Sequence, residues 1–514
     1  MEAPSRHTHA PDASFDGADL DCGSGLLLLI RKHIDPLPRG GLLEILSTEI
    51  SVKEDLPAWC RLTGNELVSV AAAGSKATSF LVCKGALTER AASQPISARA
   101  PVGSPNQAVR RVSGGDSLPA PTSTPAIPKL AVMGMGSWPR PRWMVQAVHE
   151  RVEGRLSEEE FQATADDAVR LCVDAQRRAG VDVFTDGEQR RDSYASFVGG
   201  RLDNCQLIPL TDLLPLVDDP EHFEQELRAL DVPAGEIRHP AVFGPLARSR
   251  PIAVHEAAFL QTLTDKPVKV ALPGPYLLTR TMWMECISDN AYSSREHIAQ
   301  DIVRVLREEL ADLLAAGVSL VQFDEPVLSE VVFTGTKNQR SFMCGALSEK
   351  GDAQTELSLA RDLINALVDG FPRERVAVHI CRGNWTPDES ACLAGDYTPL
   401  LPTLRQMNVG TYFLELCTPR AGEIEVLRAL PDDRRIGVGV VNQKHGRVES
   451  PDDIATRAQR AIDLFGVERV LLNPDCGFAT FADNPVSSAA TAESKLAAIA
   501  AAARALRPRN GLAA

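Results

Sequence analysis

The stretch RVAVHICRGNW, Arg375–Trp385, decides the reading of the chain. Its apolar run VAVHI is short and rich in β-branched residues, which favours a buried strand over a helix. Side chains two apart on a strand face the same way, so His379 and Cys381 leave its end together. Two further stretches share this grammar: TYFLELCTP, Thr411–Pro419, runs into Glu415, and VLLNPDCGFATF, Val470–Phe481, runs into Cys476. One imidazole, one carboxylate and two thiols form a donor set that suits Zn²⁺, which keeps a bound thiol ionised. The plain alternative is two core cysteines and a strand-end histidine that caps a carbonyl. Spacing alone leaves both readings open.

Outward from this stretch, apolar runs alternate with helical periodicity. Strands are predicted at 129–135, 181–186, 268–274, 318–324, 375–380, 409–415, 435–440 and 469–474. Helices fit between them, among them Glu158–Ala179, Ser294–Ala316, Glu356–Asp369, Pro451–Phe465 and Ala489–Leu506. Eight such units predict an α/β fold, a (β/α)8 TIM barrel over residues 129–514, with its chemistry at the C-terminal strand ends. The polar residues singled out here lie at or just past those ends. Residues 196–264 interrupt the alternation and are expected to form an extra hairpin or lid.

Three segments precede the barrel. Residues 1–18 are polar and expected to be a disordered tail. Residues 19–87 read as a small α+β module: helix LLLLIRKHI at Leu26–Ile34 with Ser24 as a cap, strand LLEILST, a helix over Val52–Thr63, and strands ELVSVAAAG and ATSFLVCKG. Residues 88–128 are rich in Pro, Ser and Ala without periodicity, which makes them a linker.

Composition narrows the function classes. A chain of 514 residues with net charge −14 lacks the clustered cations that nucleic acid or an anionic membrane demands. No apolar run approaches a bilayer-spanning length, and the polar N-terminus is unlike a signal peptide, so a soluble cytoplasmic protein is expected. Eleven cysteines without a paired pattern fit a reducing compartment, where thiols stay free for metal.

From about Ala131 onward the chain resembles the catalytic half of cobalamin-independent methionine synthase and its one-barrel relatives. The resemblance rests on GSWPRP (Gly136–Pro141), LTDKPVKVALPGP (Leu263–Pro275), LVQFDEPVL (Leu320–Leu328), HICRGNW (His379–Trp385) and NPDCGF (Asn473–Phe478), in the family's order. It implies a zinc-dependent thiol S-methyltransferase similar to 5-methyltetrahydropteroyltriglutamate–homocysteine methyltransferase, with His379, Cys381, Glu415 and Cys476 as ligands and Glu415 the replaceable one. It implies homocysteine as thiol, with Asp324 and Glu188 on its amine and Ser137 on its carboxylate, and methyl-folate or a methyl-corrinoid protein as donor. From the residues alone, Asp324 and Glu188 also fit a general acid/base pair or ion pairs with Arg190 or Arg191.

The chain departs from the family at two positions: its substrate-contacting methionine falls on Tyr194, and the histidine assigned to donor protonation falls on Lys444, with His445 beside it. Trp283 matches the tryptophan on which the pterin packs, or closes the core. The wording HICRGN is closest to the one-barrel relatives, some of which add coenzyme M to epoxides. Alkyl transfer to or from another thiol is therefore the second enzymatic reading, and a non-catalytic sulfur-relay or scaffold protein the third.

The 19–87 module resembles the TusA-like sulfur carriers, whose cysteine opens the first helix. That cysteine's place falls on Gly23 and the following proline's on Ser24, with Cys22 one position earlier. Cys22 at a helix N-terminus would be an activated thiol and a sulfur carrier. Alternatively, the module has lost that chemistry and serves for docking.

Overall fold

The computed structural model describes residues 7–21, 25–74, 77–90, 118–213, 238–283, 291–333, 351–384 and 386–512. The chain divides into two compact units, residues 1–117 with 211–220, and residues 118–210 with 221–514.

In the first unit the element order is β1 (Ala13–Asp16), a helix (Leu26–Ile34), β2 (Leu42–Ser47), a helix (Val52–Thr63), β3 (Glu66–Ala73) and β4 (Ala77–Cys83). The sheet order is β1-β2-β4-β3, with β1 parallel to β2 and the other pairs antiparallel. Leu26, Ile30 and Ile34 recur at helical spacing and form one buried stripe. That stripe packs with Leu56 and Trp59 of the second helix on Leu43, Ile45, Phe80 and Val82 of the sheet.

Residues 13–16 correct the expectation of a disordered tail over 1–18. β1 is held by its ladder to β2, and Phe15 stacks on His33 with ring centroids 4.7 Å apart. Cys22, Gly23 and Ser24, the expected carrier positions and cap, lie outside the described residues. The residue before the first helix is Gly25, at φ 114, a left-handed conformation that suits glycine.

The second unit is built on a parallel sheet of β7 (Lys269–Pro273), β8 (Leu320–Asp324), β9 (Val376–Ile380), β10 (Thr411–Leu414), β11 (Arg435–Val441) and β12 (Val470–Pro474), ordered β12-β11-β10-β9-β8-β7. β7 to β10 and β12 are buried at every position, as expected of parallel strands covered on both faces. Single parallel bridges, Val132 to Leu472, Met133 to Val183 and Phe184 to Val268, carry the pairing from β12 round to β7. The predicted strands 129–135 and 181–186 are thus reduced to bridges. One reason is local: the Asp182 carboxylate accepts the Val132 N–H at 2.8 Å, competing with a ladder bond.

Amphipathic helices lie between the strands. Glu158–Ala179 starts with a capping box at Ser157 and Glu160 and stops at Gly180, and Arg295–Ala315 is capped by Ser294. The insertion folds as a hairpin of β5 (Asp203–Pro209) and β6 (Arg238–Ala247), followed by the helix Val254–Leu263. Among the described residues no helix is long and apolar enough to cross a membrane.

Candidate functional site

His379 is the last residue but one of β9, which ends at Ile380, and Cys381 follows at once; β12 ends at Pro474, two residues before Cys476. One donor atom from each of His379, Cys381 and Cys476 lies within 4.8 Å of the others. The His379 Nδ1–H donates to the Phe413 carbonyl at 3.1 Å, which leaves Nε2 facing Cys476 Sγ at 3.4 Å. A metal-binding histidine is oriented in this way, with its second nitrogen tied to a carbonyl.

The trio is also electrostatically prepared. The hydrogen bond from Cys476, against the cost of burial and with help from His379, holds the Cys381 thiol well below its usual range. Its partner Cys476 is pushed up by that same bond and by burial. Burial works against a charge on His379, but its hydrogen bond to Cys381 and that sulfur's charge raise it on balance. A metal bound by these groups would displace thiol protons. The donor chemistry fits Zn²⁺.

Glu415 follows β10 and is buried, but it does not join the three-donor cluster. Its Oε2 accepts the Arg382 N–H and its Oε1 the Arg420 Nε–H, both at 2.9 Å. Nearby, the Asp475 Oδ1 accepts the N–H groups of Leu416 and Cys417, each at 2.9 Å, which ties the loop after β10 to the one carrying Cys476.

A cavity opens on the trio, with about 470 Å³ of empty space when its solvent-open mouth is counted. Of the residues singled out in the sequence it is lined by Ser137, Glu188, Tyr194 and Asp324 as well as by His379, Cys381 and Cys476. The Ser137 Oγ accepts the Ala479 N–H at 3.3 Å, and Gly477 packs so close that a Cβ there would come 2.1 Å from it.

Glu188 is held at φ 55, a left-handed conformation uncommon for a side chain, where the Asp186 Oδ1 accepts its N–H at 2.9 Å. Its buried Oε2 has no hydrogen-bond partner among the described residues, and burial pushes its carboxyl up to about 7. Of the two arginines expected as its partners, one is engaged elsewhere and the other is shared with Glu256. Arg190 pairs with Asp166, and Arg191 with Glu256 at 2.7 Å, while its approach to Glu188 is 4.0 Å. Asp324, raised by burial, accepts from Gln322 Nε2 at 2.7 Å. The cavity therefore presents two buried carboxyl groups, Asp324 beside His379 on the neighbouring strand, together with two sulfurs.

Lys444, His445 and Trp283 do not line this cavity. The Lys444 Nζ is buried and donates to the Thr386 carbonyl at 2.6 Å. His445 is exposed, and Trp283 is half-buried where the helix Pro275–Met282 ends. Three lining residues with polar side chains had not been singled out: Gln322, Asn384 and Thr480. Gln322 was within reach, being two before Asp324 on a strand and so on the same face. The Asn384 Nδ2 donates to the Gly477 carbonyl at 2.7 Å and to Thr480 Oγ1 at 3.0 Å, joining the two cysteine-bearing loops.

The catalytic domain of cobalamin-independent synthase matches residues 130–212 and 230–502. A methionine synthase of Sulfurisphaera tokodaii is 27% identical over 352 residues, covering 68% of this chain and 86% of that protein. One from Saccharolobus solfataricus is 25% identical over 353 residues, covering 68% and 89%. Among solved structures, a B12-independent methionine synthase from a Shewanella species, in complex with selenomethionine, aligns over 74% of this chain and 99% of its own at TM-score 0.57 and 24% identity. With more than half of its residues matched, the chain belongs to the cobalamin-independent synthase catalytic-domain family.

Proposed function

We propose that this protein transfers a methyl group to the thiol of homocysteine, giving methionine, and that it does so as a zinc enzyme. The observation that carries this reading is a single cavity lined by His379, Cys381 and Cys476 together with Glu188 and Asp324. That lining suits a small molecule that carries both a thiol and an ammonium group. The methionine synthases among its relatives support the choice of substrate.

His379, Cys381 and Cys476 would hold the zinc, with Glu415 as the fourth, replaceable ligand once its contacts to Arg382 and Arg420 give way. Bound there, Zn²⁺ supplies the charge that keeps a substrate thiol ionised at neutral pH. Glu188 and Asp324 take the substrate ammonium, Ser137 and the adjoining N–H groups its carboxylate, and Tyr194 packs alongside. Lys444 or His445 would deliver a proton to the departing donor; with neither on the cavity, that role needs a movement of the loop they share. Trp283 would receive the pterin of a methyl-folate.

In architecture we propose a complete (β/α)8 barrel, with the bridges at 132–133 and 183–184 as its first two strands, joined by a linker to a TusA-like module. The order of strands and helices in that module, two βα units and then two strands, supports the second assignment.

The test has two arms. Zinc analysis of the purified protein is expected to give about one ion per chain, lost in Cys476→Ala. Incubation with homocysteine and either methyl-folate or a methyl-corrinoid protein is expected to yield methionine with one of them. Full zinc in Cys476→Ala would remove the ligand assignment, and no methionine from either donor would remove the substrate.

A further inference from the structure

Lys269 is the one polar side chain that opens β7, and it points into a core where a charge is costly. It is 1% exposed, and burial brings its ammonium down to about 7. Among the described residues no carboxylate lies within ion-pairing distance of it. Its Nζ donates to the Gln322 Oε1 at 2.7 Å and to the Met135 carbonyl at 3.0 Å, and it stands 4.5 Å over the centre of the Phe413 ring. A lysine that only filled space would be replaced at no loss by an apolar residue, because an ion taken out of water costs several kcal/mol.

The arrangement around Gln322 shows what the charge does. An amide can present either its oxygen or its NH₂ to a neighbour, and the two orientations are nearly the same shape. An ammonium has only donors, so Lys269 takes the oxygen. The NH₂ is thereby turned the other way, where Nε2 donates to the Asp324 Oδ1 at 2.7 Å. With the amide reversed, its oxygen would face a carboxylate and both groups would repel. Gln322 and Asp324 line the cavity, whereas Lys269 lies behind them.

We propose that Lys269 is a positioning residue for amine recognition: through Gln322 it fixes the Asp324 carboxylate in the orientation that receives the substrate ammonium. The inference rests on the assignment of Asp324 to that ammonium. It adds a specificity determinant outside the cavity, acting through an amide that conveys orientation and no charge.

The test compares L-homocysteine with 4-mercaptobutyrate, which has the same thiol and carboxylate and lacks the amine, as methyl acceptors for the zinc-loaded full chain. The wild-type protein is expected to prefer homocysteine by at least about tenfold in kcat/KM, the scale of one charge-assisted contact. Lys269→Met and Gln322→Leu are each expected to lower that preference by about tenfold through KM, with zinc content unchanged and, in Lys269→Met, the rate on 4-mercaptobutyrate unchanged as well. The double variant is expected to be no worse than either single one, since both break one chain of contacts. Should Lys269→Met fail to fold, Gln322→Leu still carries the measurement. A preference retained in the single variants, or losses that add in the double, overturns the inference. A wild-type protein that accepts both thiols equally removes the amine reading itself, and this inference with it.

Discussion

The imidazole of His379 is pinned by the main-chain carbonyl of Phe413, 3.1 Å from its Nδ1, so that Nε2 is the nitrogen turned toward the two sulfurs. Because the ring's orientation is set before any cation arrives, the histidine would, on the proposed ligand assignment, contribute to affinity without an ordering cost. His379→Asn is expected to lower zinc affinity by at least about tenfold and Cys381→Ser by more, measured by competition with a chromogenic chelator. Equal affinity in wild type and His379→Asn would exclude the imidazole as a ligand.

Glu188 supplies a pH dependence. Burial raises its carboxyl to about 7, so it is neutral below that pH and becomes a partner for an ammonium above it. KM for homocysteine is therefore expected to fall as pH rises from about 6 to about 8, a limb absent in Glu188→Gln, which should bind about tenfold more weakly at the upper end. In the ligand-free protein the same group favours folding below its unfolded pKa and loses that contribution as pH rises through about 7. A homocysteine profile unchanged by Glu188→Gln would rule out this role.

The close packing of Gly136 against Glu188 predicts a sharp response to one methyl group. A Cβ at position 136 would stand 2.2 Å from the Glu188 Oε1, so the carboxylate must leave its place. Gly136→Ala is expected to raise KM for homocysteine at least as much as Glu188→Gln does, while zinc content stays at the wild-type level. The comparison is made by steady-state kinetics beside metal analysis.

Arg191 and Glu256 form a buried pair at 2.7 Å, joining the loop after residues 183–184 to the helix Val254–Leu263. Removing one member leaves the other charged and out of water. Glu256→Ala is expected to cost about 3–5 kcal/mol of stability, seen as a lowered urea midpoint, even though Glu256 does not line the cavity.

The parts of the site that follow from strand geometry were legible in the sequence. His379, Cys381 and Cys476 are each placed by a strand end, and the rule that such ends face the chemistry needs no knowledge of loops. Glu415 was legible as a strand-end carboxylate, but its partners were not. Arg382 and Arg420 reach it from turns whose paths depend on packing, not on periodicity. Lys444, His445 and Trp283 came from resemblance alone, and none reaches the cavity. β1 was hidden for a different reason: its four residues carry no pattern beyond Phe15, and its stability comes from pairing with residues 43–46. The first two barrel strands were expected longer than they are, because nothing in VDVFTD announces that the Asp182 side chain takes a backbone partner.

His379 and Cys476 are 97 residues apart in the chain. During synthesis the ribosome therefore releases the imidazole, one thiol and the Glu415 carboxylate long before the second thiol exists, and the set is incomplete without it. On the proposed ligand assignment, capture of an ion would wait until β12 has emerged and taken its place beside β11. A polypeptide cut short anywhere before that point carries no complete set of donors, so metal loading would report that the chain has been made and folded as far as Cys476.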